Sequence, residues 1–314
     1  KVYQLQISGD PVERLKTLAE FFGVTGEVKE DEWSTKEYPS YSISGKNLML
    51  SIYWSGTGTW SYSKWADFQC AAVEPSTDGE ETTKDCVWPE PDINNIPSKE
   101  VMRETAIELF TAMGFKGSLD TLRVDRNEWG GNVAIAEQVA GQEIAIEWSV
   151  GWDQFGDLAW ASGHSFEVIE RGEFGTISAK DAVARIADGR WGGSAPSSVY
   201  SSMPMPMVRS AEAAPDTATS SEADPAVTEK PAVEPEPNPT EPKIVDLIVN
   251  KSEEAMLTIW DASGSVWVVP GYLLYNNEGW FSAIISLEEG VIALPDPTDY
   301  MIEPMPAVEE PSNR

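Results

Sequence analysis

Only one histidine, His164, occurs in the 314 residues, so a Ser-His-Asp relay would have to run through it. It lies beside a glycine in Trp-Ala-Ser-Gly-His-Ser-Phe-Glu-Val, the context of a turn or a strand start. A lone histidine so placed reads as structural or exposed, not as a catalytic base. Glu143 with Glu147, or Asp153 with Asp157, could be nominated as a glycosidase pair. Against 52 Asp and Glu residues, their spacing sets neither pair apart. In an alternating strand Glu143 and Glu147 share one face, which a solvated sheet surface explains. The stretch from Asp125 to Gly131 has the Asp, Asn and Gly of a calcium loop, but Trp129 holds the fifth place and Ala136 the twelfth, where oxygen ligands are required. A plain turn is expected there. Gly56 to Trp60 lies in strand context and lacks the Lys and Ser or Thr of a phosphate loop. No catalytic set, cofactor or metal is expected.

Cys70 and Cys86 flank a polar, acidic loop. A disulfide closing it would be worth about 3 kcal/mol and would suit an oxidising compartment. The alternatives are two unpaired thiols or half of a metal site, although zinc would need further Cys or His ligands. The disulfide is the expectation. The chain also has 13 tryptophans. Trp54, Trp60, Trp148 and Trp160 recur at matched places in two halves of the sequence, which favours a core role. Trp65, Trp88, Trp129 and Trp152 lie in loop-like contexts and are the candidate contact surface for a protein or a glycan, with core packing as the alternative.

The elements that must carry these residues are legible in part. Asp10 as cap, Pro11 at the first helical position, Glu13 as capping-box partner and the stripe Leu15, Leu18, Phe21 and Phe22 before Gly23 predict a helix. Ser98, followed by Val101, Met102, Ala106, Leu109, Phe110 and Met113 before Gly114, predicts a second. After each helix the same order of segments follows. Gly23 to Val28 sets beside Gly114 to Leu119, Ser51 to Ser55 beside Ala145 to Ser149, and Gly56 to Trp60 beside Gly156 to Trp160. Ordered matches of this kind predict a duplicated helix-then-strands module, 1–95 and 96–195, with Trp54 over Trp148. The alternating segments Leu48 to Trp54 and Glu143 to Val150 read as strands, so the fold class is α+β, antiparallel sheets each covered by a helix. A third helix is predicted from Ser178 to Gly189, with Val183 and Ile186 inward. Residues 196–242 are rich in proline and acid and predict a disordered linker, with Met203 to Met207 as an apolar island. Residues 243–303 read as a small β-unit with turns at Asp261 to Ser265 and Asn276 to Gly279, and 304–314 as a tail.

Lys and Arg number 22, and the net charge is -30, so a phosphate backbone or an anionic lipid surface is repelled over most of the molecule. Nucleic acid is excluded as a partner. No run of about 18 apolar residues occurs. Contact with a membrane is expected only through an N-terminal anchor outside the sequence, which starts at Lys1.

The helix ends Leu18 to Val28 and Leu109 to Leu119, the Thr59 to Ser63 strand, Ile177 to Gly193 and the late Val266 to Tyr275 segment together resemble a group of uncharacterised membrane-anchored or secreted actinobacterial envelope proteins. That resemblance implies an extracytoplasmic location and no reaction. The helix-plus-sheet modules are more loosely similar to PepSY-like and two-component accessory ectodomains, with Ile177 to Ile186 resembling their capped helix. A non-catalytic binding or sensory ectodomain that contacts another envelope protein or regulator is therefore expected. The alternative is a cell-wall carbohydrate-binding protein or hydrolase.

Overall fold

The computed structural model describes residues 1–65, 90–201 and 248–295. Cys70, Cys86 and Trp88 lie outside them, as do 202–242 of the expected linker, 243–247 and 296–303 of the expected β-unit, and the expected tail. The fold is α+β, with two antiparallel sheets.

The larger sheet has eight strands. Its first half is a meander of β2 (Lys29–Glu30), β3 (Ser40–Gly45), β4 (Leu48–Tyr53) and β5 (Thr59–Lys64). The second half is a meander of β6 (Arg123–Asn127), β7 (Gly130–Val139), β8 (Gln142–Trp152) and β9 (Leu158–Gly163). The strand order is β2-β3-β4-β5-β9-β8-β7-β6, so the halves meet edge to edge where Trp60 opposes Gly163 and Ser61 opposes Ser162. Each meander is preceded by a helix, α1 (Pro11–Phe22) or α2 (Lys99–Ala112), and both helices cover the same face. The caps are those expected: Asp10 accepts from the Glu13 amide and Ser98 from the Val101 amide. Leu15, Leu18, Met102, Leu109 and Phe110 are buried against Leu50, Ile52, Trp60 and Trp148. At the seam Trp60 and Trp148 meet edge to face at 5.6 Å.

The halves correspond in topology, but not in the tryptophan register expected. Ser51 pairs with Ser61 across β4 and β5, and Ser149 with Ser162 across β8 and β9, so Ser51 is the counterpart of Ser149. Trp54 then falls beyond the end of β4 and is half-buried, whereas Trp148 is a core residue inside β8. Trp160 is displaced as well. It alternates with Ala161, which faces the helices, and so it points to the opposite side, 39% exposed.

The second sheet combines both ends of the chain. Its path runs β10 (Phe166–Gly172), β1 (Val2–Ile7), β12 (Val266–Asn276), β11 (Val249–Trp260), with β13 (Phe281–Ile285) also pairing β12. Strand β1 sits between β10 and β12, and the C-terminal hairpin therefore joins the N-terminal strand in one sheet. Turns fall at Asp261 and Asn276 as expected. The third helix, α3 (Ala179–Ala184), packs Ala182 on this sheet and passes into tight 3-10 turns. That tightening leaves Val183 38% exposed, against expectation, while Ile186 stays half-buried. Pro196 to Ser201, expected at the start of the linker, instead contain a helical turn, α4 (Ser197–Tyr200). Tyr3, Leu5, Val266 and Val268 meet Ile144 and Ile146 of β8, so one apolar cluster ties the sheets together.

Candidate functional site

The residues nominated for catalysis each have a structural position. His164 follows β9. Its Nε2 faces the Glu147 carbonyl at 3.1 Å, and a carbonyl can only accept, so Nε2 carries the proton. Nδ1 then accepts from the Thr57 hydroxyl at 2.8 Å. Burial pushes the imidazole pKa down to about 4. The ring is a neutral strut joining the end of β9, the β4–β5 turn and the middle of β8. Glu147 accepts from Arg123 and, at 2.5 Å, from the Ser197 hydroxyl, and Glu143 accepts from Ser198 at 2.7 Å. Both carboxylates therefore hold α4 against the sheet. Asp153 accepts from the amides of Phe155 and Asp157 and shapes the β8–β9 turn, while Asp157 pairs with Lys64 at 3.2 Å. The would-be calcium loop is the β6–β7 turn, in which Asn127 accepts from the Trp129 amide. Among the described residues no three His, Cys, Asp or Glu side chains gather to hold a metal.

The candidate contact tryptophans separate. Trp65 is 54% exposed just after β5, and Trp129 is 63% exposed at the β6–β7 turn; both lie at the same end of the large sheet. Trp152 is instead buried, because it closes β8 opposite Gly131 and joins the core under α2.

The face of the large sheet turned away from α1 and α2 has features that the candidate tryptophans did not mark. Cross-strand pairing aligns Ser42, Ser51, Ser61, Ser162 and Ser149 in one row over five adjacent strands. The Ser51 and Ser61 hydroxyls are 2.8 Å apart, and those of Ser149 and Ser162 are 2.9 Å apart. At one end of the row Ser42 donates to Asp31, as does Ser40 beside it. The next row on one side includes Met49 and Trp160, and on the other Tyr53, on which the exposed Trp33 stacks at 5.3 Å. Small hydroxyl residues thus form a floor between taller apolar and aromatic ones. Trp160 lies over Gly151, where a Cβ would come within 2.1 Å of its indole nitrogen. The signal for this surface was strand parity: Trp160 and Ala161 cannot both face the helices.

No protein-family model matches this chain, and no curated protein does. Among solved structures the chain is similar to the Bacillus megaterium YpeB C-terminal domain at 11% identity, covering 90% of this chain and 99% of that one, with a TM-score of 0.32. A score that low carries no argument about fold or role. Among the described residues no helix is long and apolar enough to cross a membrane.

Proposed function

We propose that this chain is a non-catalytic extracytoplasmic binding ectodomain, and that it contacts another envelope protein through the serine-floored face of its large sheet. The observation that carries the reading is the row from Ser42 to Ser149 flanked by Trp160, Met49 and the Trp33–Tyr53 stack. Aromatic and methionine side chains around short hydroxyls give apolar anchors and hydrogen-bonding groups with little side-chain entropy to lose, as binding surfaces require. The net charge of -30 favours a partner with a basic surface and would speed their encounter. A photo-reactive residue at Ser61 or Trp160 of the full chain, tested in host cells, should yield one discrete protein adduct. Adding Ser149→Arg, which raises a charged side chain from the floor, should abolish it. Absence of any protein adduct would overturn the reading.

A cell-wall glycan is the second reading, favoured by the exposed Trp160 ring beside hydroxyl groups. Co-sedimentation of the protein with purified cell walls, lost in Trp160→Ala, would select it.

A further inference from the structure

A cleft of about 550 Å³ lies on the other side of His164, where the end of β1, α1, the residues after α2 and the start of β10 converge. Arg14 and Lys116 line it, with Glu137, Trp148, Ser165 and Phe166. Glu167 lines it as well, so the two cations face two carboxylates; in a chain with a net charge of -30, a concave surface with as many cations as carboxylates stands out. Arg14 Nη1 donates to the Met113 carbonyl at 2.8 Å, which fixes the guanidinium, and its other N–H groups have no hydrogen-bond partner among the described residues. Gly114, at φ 89°, supplies the left-handed turn that follows α2 beside that guanidinium. The ammonium of Lys116 makes an exposed contact with Glu167 at 3.8 Å and lies near enough to Glu137 to act on its charge.

The floor supplies an independent observation. Ser165 is 2% exposed and its Oγ has no hydrogen-bond partner among the described residues, a costly state for a buried hydroxyl. Glu137 accepts from Trp148 Nε1 at 2.9 Å. Burial raises its pKa, so this carboxyl opposes a bound anion less than an exposed one would.

We propose that this cleft binds a small organic anion, its carboxylate between Arg14 and Lys116 and its apolar body against Phe166. The volume exceeds that of an inorganic ion, and the aromatic wall gives the body of such a ligand a surface to leave water for.

N-acetyl-L-phenylalanine is a suitable probe and its primary amide the neutral control, both titrated into the full chain while following the indole N–H resonance of Trp148. The acid should shift that resonance saturably and bind at least ten-fold more tightly than the amide. Arg14→Gln should weaken it by about ten-fold or more, the cost of one charge-assisted hydrogen bond. Because Arg14 also holds the end of α2, Lys116→Gln is the second variant, at a side chain too exposed to matter for folding, and should weaken the acid several-fold with unchanged thermal unfolding. Equal binding of acid and amide, or acid binding indifferent to Lys116→Gln, would overturn the proposal.

Discussion

At the scale of single residues, His164 illustrates how a group that could do chemistry is committed to structure. Its two ring nitrogens are occupied by Thr57 and Glu147, and its pKa is held down to about 4 by burial. An unfolded histidine takes up its proton near 6.5. Above that pH neither state is protonated and the histidine has no effect on stability. As pH falls from 6.5 to 4 the unfolded chain binds a proton that the folded chain does not, and stability is lost, by about 3 kcal/mol at most. Glu137 acts in the opposite sense, because its raised pKa favours the folded state as acid is added. His164→Gln should therefore lower stability at pH 7 yet flatten its decline towards pH 4, measured as urea midpoints across that range. An unchanged decline would mean that the ring titrates freely. The sequence was enough to argue that a lone histidine beside a glycine is structural or exposed, and its burial and two hydrogen bonds select the first. It was not enough to place Trp160, since similarity between halves matched residue types while strand parity decides which face a residue serves.

At the scale of elements, capping chemistry was the most legible feature, because Asp10, Pro11 and Ser98 act within three residues of themselves. Stripes were less so: Val101 was counted inward and is 49% exposed on α2. Strand β1 was not anticipated, since nothing local announces that Tyr3 to Leu5 will pair with Val266 to Val268 from the far end of the chain. The seam between β5 and β9 depends on an absence of side chain. A Cβ at Gly163 would lie 2.5 Å from both Trp60 and Trp148, two buried indoles. Gly163→Ala should cost about 3 kcal/mol, at the upper end of overpacking. Gly151→Ala meets an indole even more closely, but that of Trp160, which is partly exposed and can swing aside. This variant should lose less than about 1 kcal/mol while moving Trp160 from its place on the open face. Thermal unfolding of the two variants in parallel tests the contrast, and equal losses would contradict the assignment of faces.

At the scale of the whole molecule, repeated segments and composition read as two modules, a linker and a small β-unit, and among the described residues strands from both modules and from the β-unit share one sheet. Strand β1 belongs to the first expected module, β10 to the second and β12 to the C-terminal unit, yet they are hydrogen-bonded in one sheet. The cluster of Tyr3, Leu5, Ile144, Ile146, Val266 and Val268 closes the space between that sheet and β8. Ser194 and Thr258 exchange backbone hydrogen bonds, and Arg185 donates to the Ile285 and Leu287 carbonyls. Sequence could not disclose this, because pairings between distant strands leave no periodic mark in either strand alone. Integration of this kind makes covalent continuity between Ser201 and Ile248 unnecessary once the chain has folded. A specific protease site introduced at Glu222 and cut to completion should leave the two fragments eluting together in gel filtration, with a single unfolding transition, because separating them would strip Leu257, Val268 and Leu273 of their cover. Fragments that elute apart without denaturant would show instead that the C-terminal strands fold as a unit of their own, and that the contacts of β1 and β8 with them are too weak to hold the molecule together.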